Sequence, residues 1–528
     1  MNYNVLLLDG VDAVCETIFK ERGIKAVNAP GLKGDELLKE LPKYHGIVVR
    51  SATKVTAELL DHAPELKVIG RAGVGVDNVD IEEATRRGIL VMNTPDGNTI
   101  STAEHTCGLL LALARNIPDA VQSLKNGAWD RKKYMGSELQ GKTLGIIGLG
   151  KIGSTVAKRM KAFGMKICAY DPYTTHEKAA EMDVQLFELD EVLKAADFLT
   201  VHTPLTEKTR GLVSLANSDK LKKGVRMVNC ARGGIFEEAD LVQLLDEGVV
   251  GGVALDVYTS EPPTEELYAI LKHKSVICTP HLGASTEEAQ GKVAEQIAHQ
   301  MADALEKKSY IGSLNGKSIA LSMNKEVQPF LIVAEKLGYF ASQIAAENTT
   351  ALDVEYSGTC AIHAEVLTDS VLKGFLTNTS ESPVNLINAR FLADSKGVKI
   401  REASSKTTRT YHDLITITVS DPSEYKRFSA TPFGENDYRI VEIDGFKIEQ
   451  QLAGEMIIYS NIDRPGMLAA VSSALAAKNI NIASLTLGRE KKQSRAVTVV
   501  TVDKKLTPDE VSEIDKIEGV EKVRYISL

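Results

Sequence analysis

Short apolar runs alternate with longer stretches of helical spacing from Asn4 to Cys278, the pattern of strands and helices taken in turn. Val5–Leu8, Ile47–Val49, Lys67–Ile69 and Ile89–Met92 read as strands of a first unit, and runs near 144–147, 166–170, 197–201, 226–229, 252–256 and 275–278 as strands of a second. Such alternation predicts an α/β architecture with two parallel-sheet units. A helix from about Ser101 to Arg115 carries Leu109, Leu110 and Leu113 at three- to four-residue spacing, and another, about Glu287 to Lys307, returns towards the first unit. Two crossings make a hinged pair with a cleft between, so the expected domains are 1–97 with 285–310, and 98–284.

Beyond about residue 310 polar loops such as Thr377–Pro383 interrupt this pattern. Residues 311–450 read as a separate α+β domain, with Asn385–Ala393 helical, Leu414–Val419 a strand, and a hairpin from Val441 to Ile448 turning at Asp444-Gly445. Residues 455–528 are more regular. Strand Met456–Tyr459 precedes a helix presenting Leu468, Val471 and Leu475, and strands Ile482–Leu487 and Ala496–Val502 follow. The capping box Thr507-Pro508-Asp509-Glu510 opens a second helix, and Lys522–Ile526 closes as a strand. The order is βαββαβ, a ferredoxin-like split unit.

From Thr143 to Asp171 the sequence is TLGIIGLGKIGSTVAKRMKAFGMKICAYD. A strand enters Gly148, Gly150 and Gly153, then a helix with Val156, Met160 and Phe163 on one face. The first glycine permits a tight turn, the second admits a pyrophosphate to the backbone, and the third lets helix and strand pack closely. The helix start adds N–H donors and a positive dipole end. Asp171, closing the strand Lys166–Tyr170, can accept hydrogen bonds from both ribose hydroxyls and would repel a 2′-phosphate, so the expected cofactor is NAD.

At 528 residues the chain is too long for one core and should hold about three or four domains. A net charge of −9 excludes general attraction to nucleic acid or acidic lipid, so no nucleic-acid or membrane partner is expected. The six cysteines lie scattered in apolar or strand-like segments without a CxxC pair, as buried thiols of a reducing compartment would. The start, MNYNVLLLDG, enters a strand without a basic, then apolar, leader, and the longest apolar run, Cys107 to Ala114, is far too short to span a bilayer. These features predict a cytoplasmic enzyme, with no metal site.

In open α/β sheets ligands bind beyond the carboxyl ends of the strands. Those ends carry Arg50-Ser51 and Arg71-Ala72-Gly73 in the first unit. In the second they carry His202-Thr203-Pro204, Cys230-Ala231-Arg232, Asp256 and Thr279-Pro280-His281. Oxidising a hydroxy acid with NAD needs a proton acceptor and a cation for the carboxylate, which His281 and Arg232 supply. Glu261 is the carboxylate placed to fix the imidazole tautomer and raise its pKa. Each residue alone has an ordinary structural explanation; their joint occurrence carries the reading.

GLGKIG with Asp171, NCARGG, ALDVYTSEPP and TPHLGAST together resemble the D-2-hydroxyacid dehydrogenase family over about residues 1–310. Its catalytic Arg, Glu and His match Arg232, Glu261 and His281. The resemblance implies NAD contacts from Gly148, Gly150, Lys151, Ile152, Gly153, Asp171, His202, Thr203, Pro204, Cys230, Ala231, Arg232, Asp256, His281 and Gly283. RSATKVT, GRAGVGVDNVD, NTPDGNT and the two later domains are similar, more narrowly, to the long-form phosphoglycerate dehydrogenase family, where an intervening domain and an ACT domain follow the catalytic body. That likeness implies oxidation of 3-phospho-D-glycerate to 3-phosphohydroxypyruvate, the first committed step of L-serine synthesis. Arg50, Arg71 and Asn98 would then hold phosphate and carboxylate. Arg131, with Lys132 and Lys133 beside Trp129, would reach a partner subunit's cleft in a homodimer or homotetramer. Asn461, Asp463 and Asn481 would hold L-serine as an effector. Val74 departs from the hydroxyl residue that close relatives often place against the cofactor. A hydroxypyruvate or glyoxylate reductase, or an NAD-sensing scaffold, shares the same triad and stays open as an alternative.

Overall fold

The computed structural model describes residues 3–346, 348–405, 410–434, 436–489 and 495–528. The first unit is a five-stranded parallel sheet of β1 (Asn4–Leu7), β2 (Lys25–Asn28), β3 (Gly46–Val49), β4 (Val68–Arg71) and β5 (Leu90–Asn93), in the order 2-1-3-4-5. The second is a seven-stranded parallel sheet of β6 (Thr143–Ile147), β7 (Lys166–Tyr170), β8 (Gln185–Leu186), β9 (Phe198–Val201), β10 (Val225–Asn229), β11 (Val250–Leu255) and β12 (Val276–Cys278), in the order 12-11-10-9-6-7-8. Its chain reversal lies between β6 and β9, where the glycine turn also sits, the switch point at which such sheets bind ligands. Two edge strands escape the sequence pattern: β2 has no buried residue and β8 is only two residues long.

Both crossing helices form, as Thr99–Arg115 and Glu287–Leu305. The second packs Val293, Ile297 and Met301 into the core of the first unit. Gly70 in β4 makes room for it, since a Cβ there would meet Met301 Sδ at 2.1 Å. After that helix the chain stays fastened to β5, with Asn315 accepting from Val91 N at 2.8 Å.

Strands β13 (Ala351–Ser357), β14 (Lys399–Ser405), β15 (Leu414–Ser420), β16 (Tyr425–Gly434), β17 (Asp437–Ile443) and β18 (Phe446–Gln451) form a mixed sheet covered by the helices Gln328–Ser342 and Ala364–Leu376. Asp444 (φ 48°) and Gly445 (φ 85°) make the expected hairpin turn. The helix expected at Asn385–Ala393 begins only at Ala389. The Asn385 carboxamide accepts from Ile387 N, and Asn388 Oδ1 accepts from Asn385 N, a local alternative to helix.

Strands β19 (Glu455–Ile462), β20 (Ile482–Arg489), β21 (Arg495–Val502) and β22 (Val520–Ser527) are antiparallel in the order 20-21-19-22 and complete the βαββαβ unit. Its helix, Met467–Ala477, buries Met467, Val471 and Leu475, while Leu468 faces outward, contrary to expectation. The other sheet face, with Met456, Ile458, Val497 and Val499, shares a core with the preceding domain. Among the described residues no helix is long and apolar enough to cross a membrane.

Candidate active site

The three glycines of the 148–153 turn each have a separate cause. Gly148 (φ 93°) turns tightly under the β9 end, where a Cβ would lie 2.5 Å from the His202 carbonyl oxygen. Gly150 has open space where a Cβ would point, the approach a pyrophosphate needs. At Gly153 a Cβ would strike the Gly148 carbonyl oxygen at 2.1 Å, so the helix Lys151–Ala162 can press against the turn. Asp171 accepts from Leu149 N at 2.7 Å and from Tyr173 N and Thr174 N at 2.8 and 3.0 Å. That leaves about one of a carboxylate's four acceptor positions for a sugar hydroxyl. Thr203 Oγ1 is buried without a partner among the described residues, and burial pushes His202 down to about 4, keeping it neutral. The residues present therefore fit a dinucleotide.

Across the strand ends, His281 Nδ1 lies 2.6 Å from Glu261 Oε2. This hydrogen bond holds the imidazole above its ordinary pKa, against the lowering effect of burial. Glu261 is steadied by Tyr258 N, which donates to Oε1 at 3.1 Å. His281 itself sits in the left-handed region (φ 55°), a conformation that the surrounding turn must impose. Asp256, fully buried at the end of β11, supplies that turn: it accepts from Leu282 N (2.7 Å), Gly283 N (2.9 Å) and Thr279 Oγ1 (2.6 Å). Burial works to raise the Asp256 carboxyl, but hydrogen bonds from His105, Thr279 and Leu282 outweigh it and hold it below its ordinary value.

The opposite wall is cationic. Arg71 folds back over Gly73, whose absent Cβ would otherwise sit 1.4 Å from Nη1, and its Nε is buried with no partner among the described residues. Burial, then the charges of Arg232 and Arg50, push Arg71 down to about 10, so it is still protonated at neutral pH. An unsatisfied guanidinium donor is costly unless an anion arrives. The Arg50 loop is braced by Asp9, which accepts from Arg50 N and Thr53, and by Asn78, which donates to Arg50 O at 2.7 Å. Arg232 crosses above Gly75 to pair with Asp77 at 3.0 Å, an exposed contact worth only about 0.2–1 kcal/mol that an incoming carboxylate can displace. Arg50, Arg71, Asn98, Glu261 and His281 line a single cleft of about 390 Å³. Asn98 Oδ1 is buried there with no partner among the described residues.

Three family descriptions match in sequence: the D-isomer specific 2-hydroxyacid dehydrogenase NAD binding domain at residues 107–283, the D-3-phosphoglycerate dehydrogenase intervening domain at 326–444, and the ACT domain at 456–519. The D-3-phosphoglycerate dehydrogenase of Archaeoglobus fulgidus is 40% identical over 99% of this chain and 100% of its own length. The chain belongs to the D-3-phosphoglycerate dehydrogenase family. The Bacillus subtilis member is 40% identical over 93% of both chains, and the human one 46% identical over 76% of this chain and 75% of its own. Among solved structures, D-lactate dehydrogenase from Aquifex aeolicus, complexed with NAD and lactic acid, is 28% identical, covering 58% of this chain and 96% of its own with a TM-score of 0.52. The TT0316 protein of Thermus thermophilus is 33% identical, covering 59% and 99%, with a TM-score of 0.54.

Membership in this family gives the chain an NAD-binding domain, with Gly148, Gly150, Gly153 and Asp171 at its glycine turn. Lys151 is paired with Asp96 across the two units. Ile152 and Ala231 are half-buried and Pro204 is exposed. Burial pushes the Cys230 thiol up to about 12, so it stays protonated. Cys278 is exposed, against the expectation of buried thiols throughout. Phe163 is also exposed; Gly153, Val156, Ala157 and Met160 form the buried helix face. Val74 supplies its carbonyl to Asn93 Nδ2 at 2.6 Å. Arg131 lies on an exposed turn and does not line the cleft of its own chain.

The three effector residues are not brought together within one chain. Asn461 and Asp463 lie at the carboxyl end of β19, whereas β20 runs parallel to β19, so Asn481 begins it at the opposite end, near Asp503. Asn461 is also occupied, donating to Ile462 O and accepting from Thr498. The residues that sequence reasoning missed are the braces: Asp9, Asn78, Asp77 and His105. Only the Asp9-Gly10 pair carried a local signal, that of a turn.

Proposed function

We propose that this chain oxidises 3-phospho-D-glycerate to 3-phosphohydroxypyruvate with NAD, opening L-serine synthesis. One observation carries the reading: a His–Glu pair shares a single cleft with two arginines beyond the one a substrate carboxylate needs. Neutral His281 accepts the C2 hydroxyl proton at Nε2, the nitrogen Glu261 leaves free, and Glu261 stabilises the imidazolium so formed. Arg232 exchanges Asp77 for the substrate carboxylate and polarises the C2 oxygen. Arg71 and Arg50 take the phosphate, with Asn98 bonding one end of the substrate. NAD, when bound, supplies the hydride acceptor. The reverse reaction uses protonated His281 as the acid.

Asp171 sets the cofactor preference. Asp171→Ala should weaken NAD and relax discrimination against NADP, read as the ratio of kcat/KM for the two; an unchanged ratio removes Asp171 from that role.

Assembly and control follow from exposed features. The helix Ile117–Lys125 leaves Ile117, Val121 and Leu124 on one uncovered face, near Trp129 and Met135, which are 76% and 79% exposed. Covering this ridge with a second copy would make a homodimer and bring Arg131 to the partner's cleft; pairing of the terminal domains would extend it to a tetramer. One L-serine touching Asn461, Asp463 and Asn481 needs two copies as well, because a single chain separates them. Millimolar L-serine should then lower activity and raise Tm; neither change would discard the effector site. The free thiols suit the cytoplasm.

A further inference from the structure

Arg232 and Glu261 stand on separate loops, three residues beyond β10 and six beyond β11, strands that are paired as far as Asn229 and Leu255 but not into the loops. One side chain hydrogen-bonds to both of these loops. Glu238, the first residue of the helix Glu238–Asp246, is 4% exposed. Its Oε1 accepts from Gly234 N at 3.3 Å and from Thr259 N at 3.0 Å, and its Oε2 from Thr259 Oγ1 at 2.7 Å. Gly234 follows Arg232 by two residues and Thr259 precedes Glu261 by two. The loops also touch directly, since a Cβ on Gly233 would lie 1.9 Å from the Tyr258 carbonyl carbon.

We propose that Glu238 is a positioning residue for the reaction, a clamp that holds the Glu261 loop in register with the Arg232 loop and so keeps Glu261 on His281. Packing alone does not call for an acid here. A buried carboxylate costs stability unless paired, and no ion pair among the described residues includes Glu238; its charge is met by the N–H groups of the two loops and the positive end of its own helix. The Arg232 loop has a brace of its own, Asn229 donating to Arg232 O at 2.7 Å and accepting from Ala231 N at 2.9 Å. The Glu261 loop has Tyr258 N on Glu261. Glu238 is the part that ties the two braced loops to each other.

The inference rests on the proton-transfer reading above. The charged groups that act on His281 are Glu261, Asp256 and Arg232; loosening the clamp withdraws Glu261 and leaves burial and Arg232 to lower the imidazole pKa. The test follows NADH-driven reduction of 3-phosphohydroxypyruvate against pH in wild type, Glu238→Ala and Glu238→Gln. Reduction needs imidazolium, so its alkaline limb should move to lower pH in Glu238→Ala, with kcat down about 10- to 10²-fold and KM for NADH unchanged. Glu238→Gln keeps an oxygen for the two N–H groups and an amide for Thr259 Oγ1, so its limb should return to the wild-type position. A wild-type limb in Glu238→Ala, or a Gln variant no better than Ala, would overturn the proposal. Should Glu238→Ala not fold, Thr259→Val, which removes only the 2.7 Å bond, must move the limb the same way by less, and an unmoved limb overturns the clamp equally. A wild type that does not reduce the phosphorylated substrate counts against the substrate reading alone; the same comparison then runs on the 2-oxo acid it reduces best.

Discussion

His281→Asn should lower kcat by about 10²-fold or more in both directions, the usual scale for losing a general acid–base. The pH profiles make the test specific. Glu261 holds the imidazole above its ordinary value of about 6.5. Reduction uses the imidazolium, so in wild type it persists above that pH and falls only as His281 loses its proton. Oxidation uses the neutral ring and rises over the same interval. Both limbs should vanish in the Asn variant, because the titrating group is gone. Wild-type turnover, or a surviving limb at the same pH, would take His281 out of the proton path.

Arg71→Met should cost about 10²-fold or more in kcat/KM for the phosphorylated substrate, since charge-assisted hydrogen bonds are worth about 1.5–3 kcal/mol each. Turnover of unphosphorylated hydroxypyruvate should change little. Stability should move the other way. Arg71 is half-buried beside two like charges, and its lowered pKa means that folding disfavours its charged form. A neutral side chain of similar length relieves that burden, so Tm should hold or rise while function is lost. Equal losses on both substrates, or a fall in Tm, would mean that Arg71 is structural.

Sequence was most informative where one local motif has one physical cause. The 148–153 turn was legible because each glycine answers a close approach within a few residues, and β6, β7 and the helix after the turn followed from it. The strand-end residues were legible because parallel sheets send ligands to one edge. Edges and ends were not: β2 carries no buried side chain, and Phe163 and Leu468 continue an apolar spacing after the buried face has turned away. Asp9, Asn78, His105 and Glu238 act through contacts distant in sequence or between loops, and a Glu at a helix start looks like any acidic first turn. Asn481 lies apart from Asn461 and Asp463 within one chain for a topological reason, since the direction of β20 decides its end of the sheet, and spacing along the chain does not disclose it.

The substrate proposed for this cleft is anionic at both ends. The most direct measurement is NADH oxidation by the purified protein, comparing kcat/KM for 3-phosphohydroxypyruvate with that for hydroxypyruvate. The cationic wall of Arg50 and Arg71 predicts a preference of about 10²-fold or more for the phosphorylated substrate. Equal use of the two would contradict the phosphate site, leave the His281–Glu261 chemistry standing, and assign the chain to reduction of unphosphorylated 2-oxo acids.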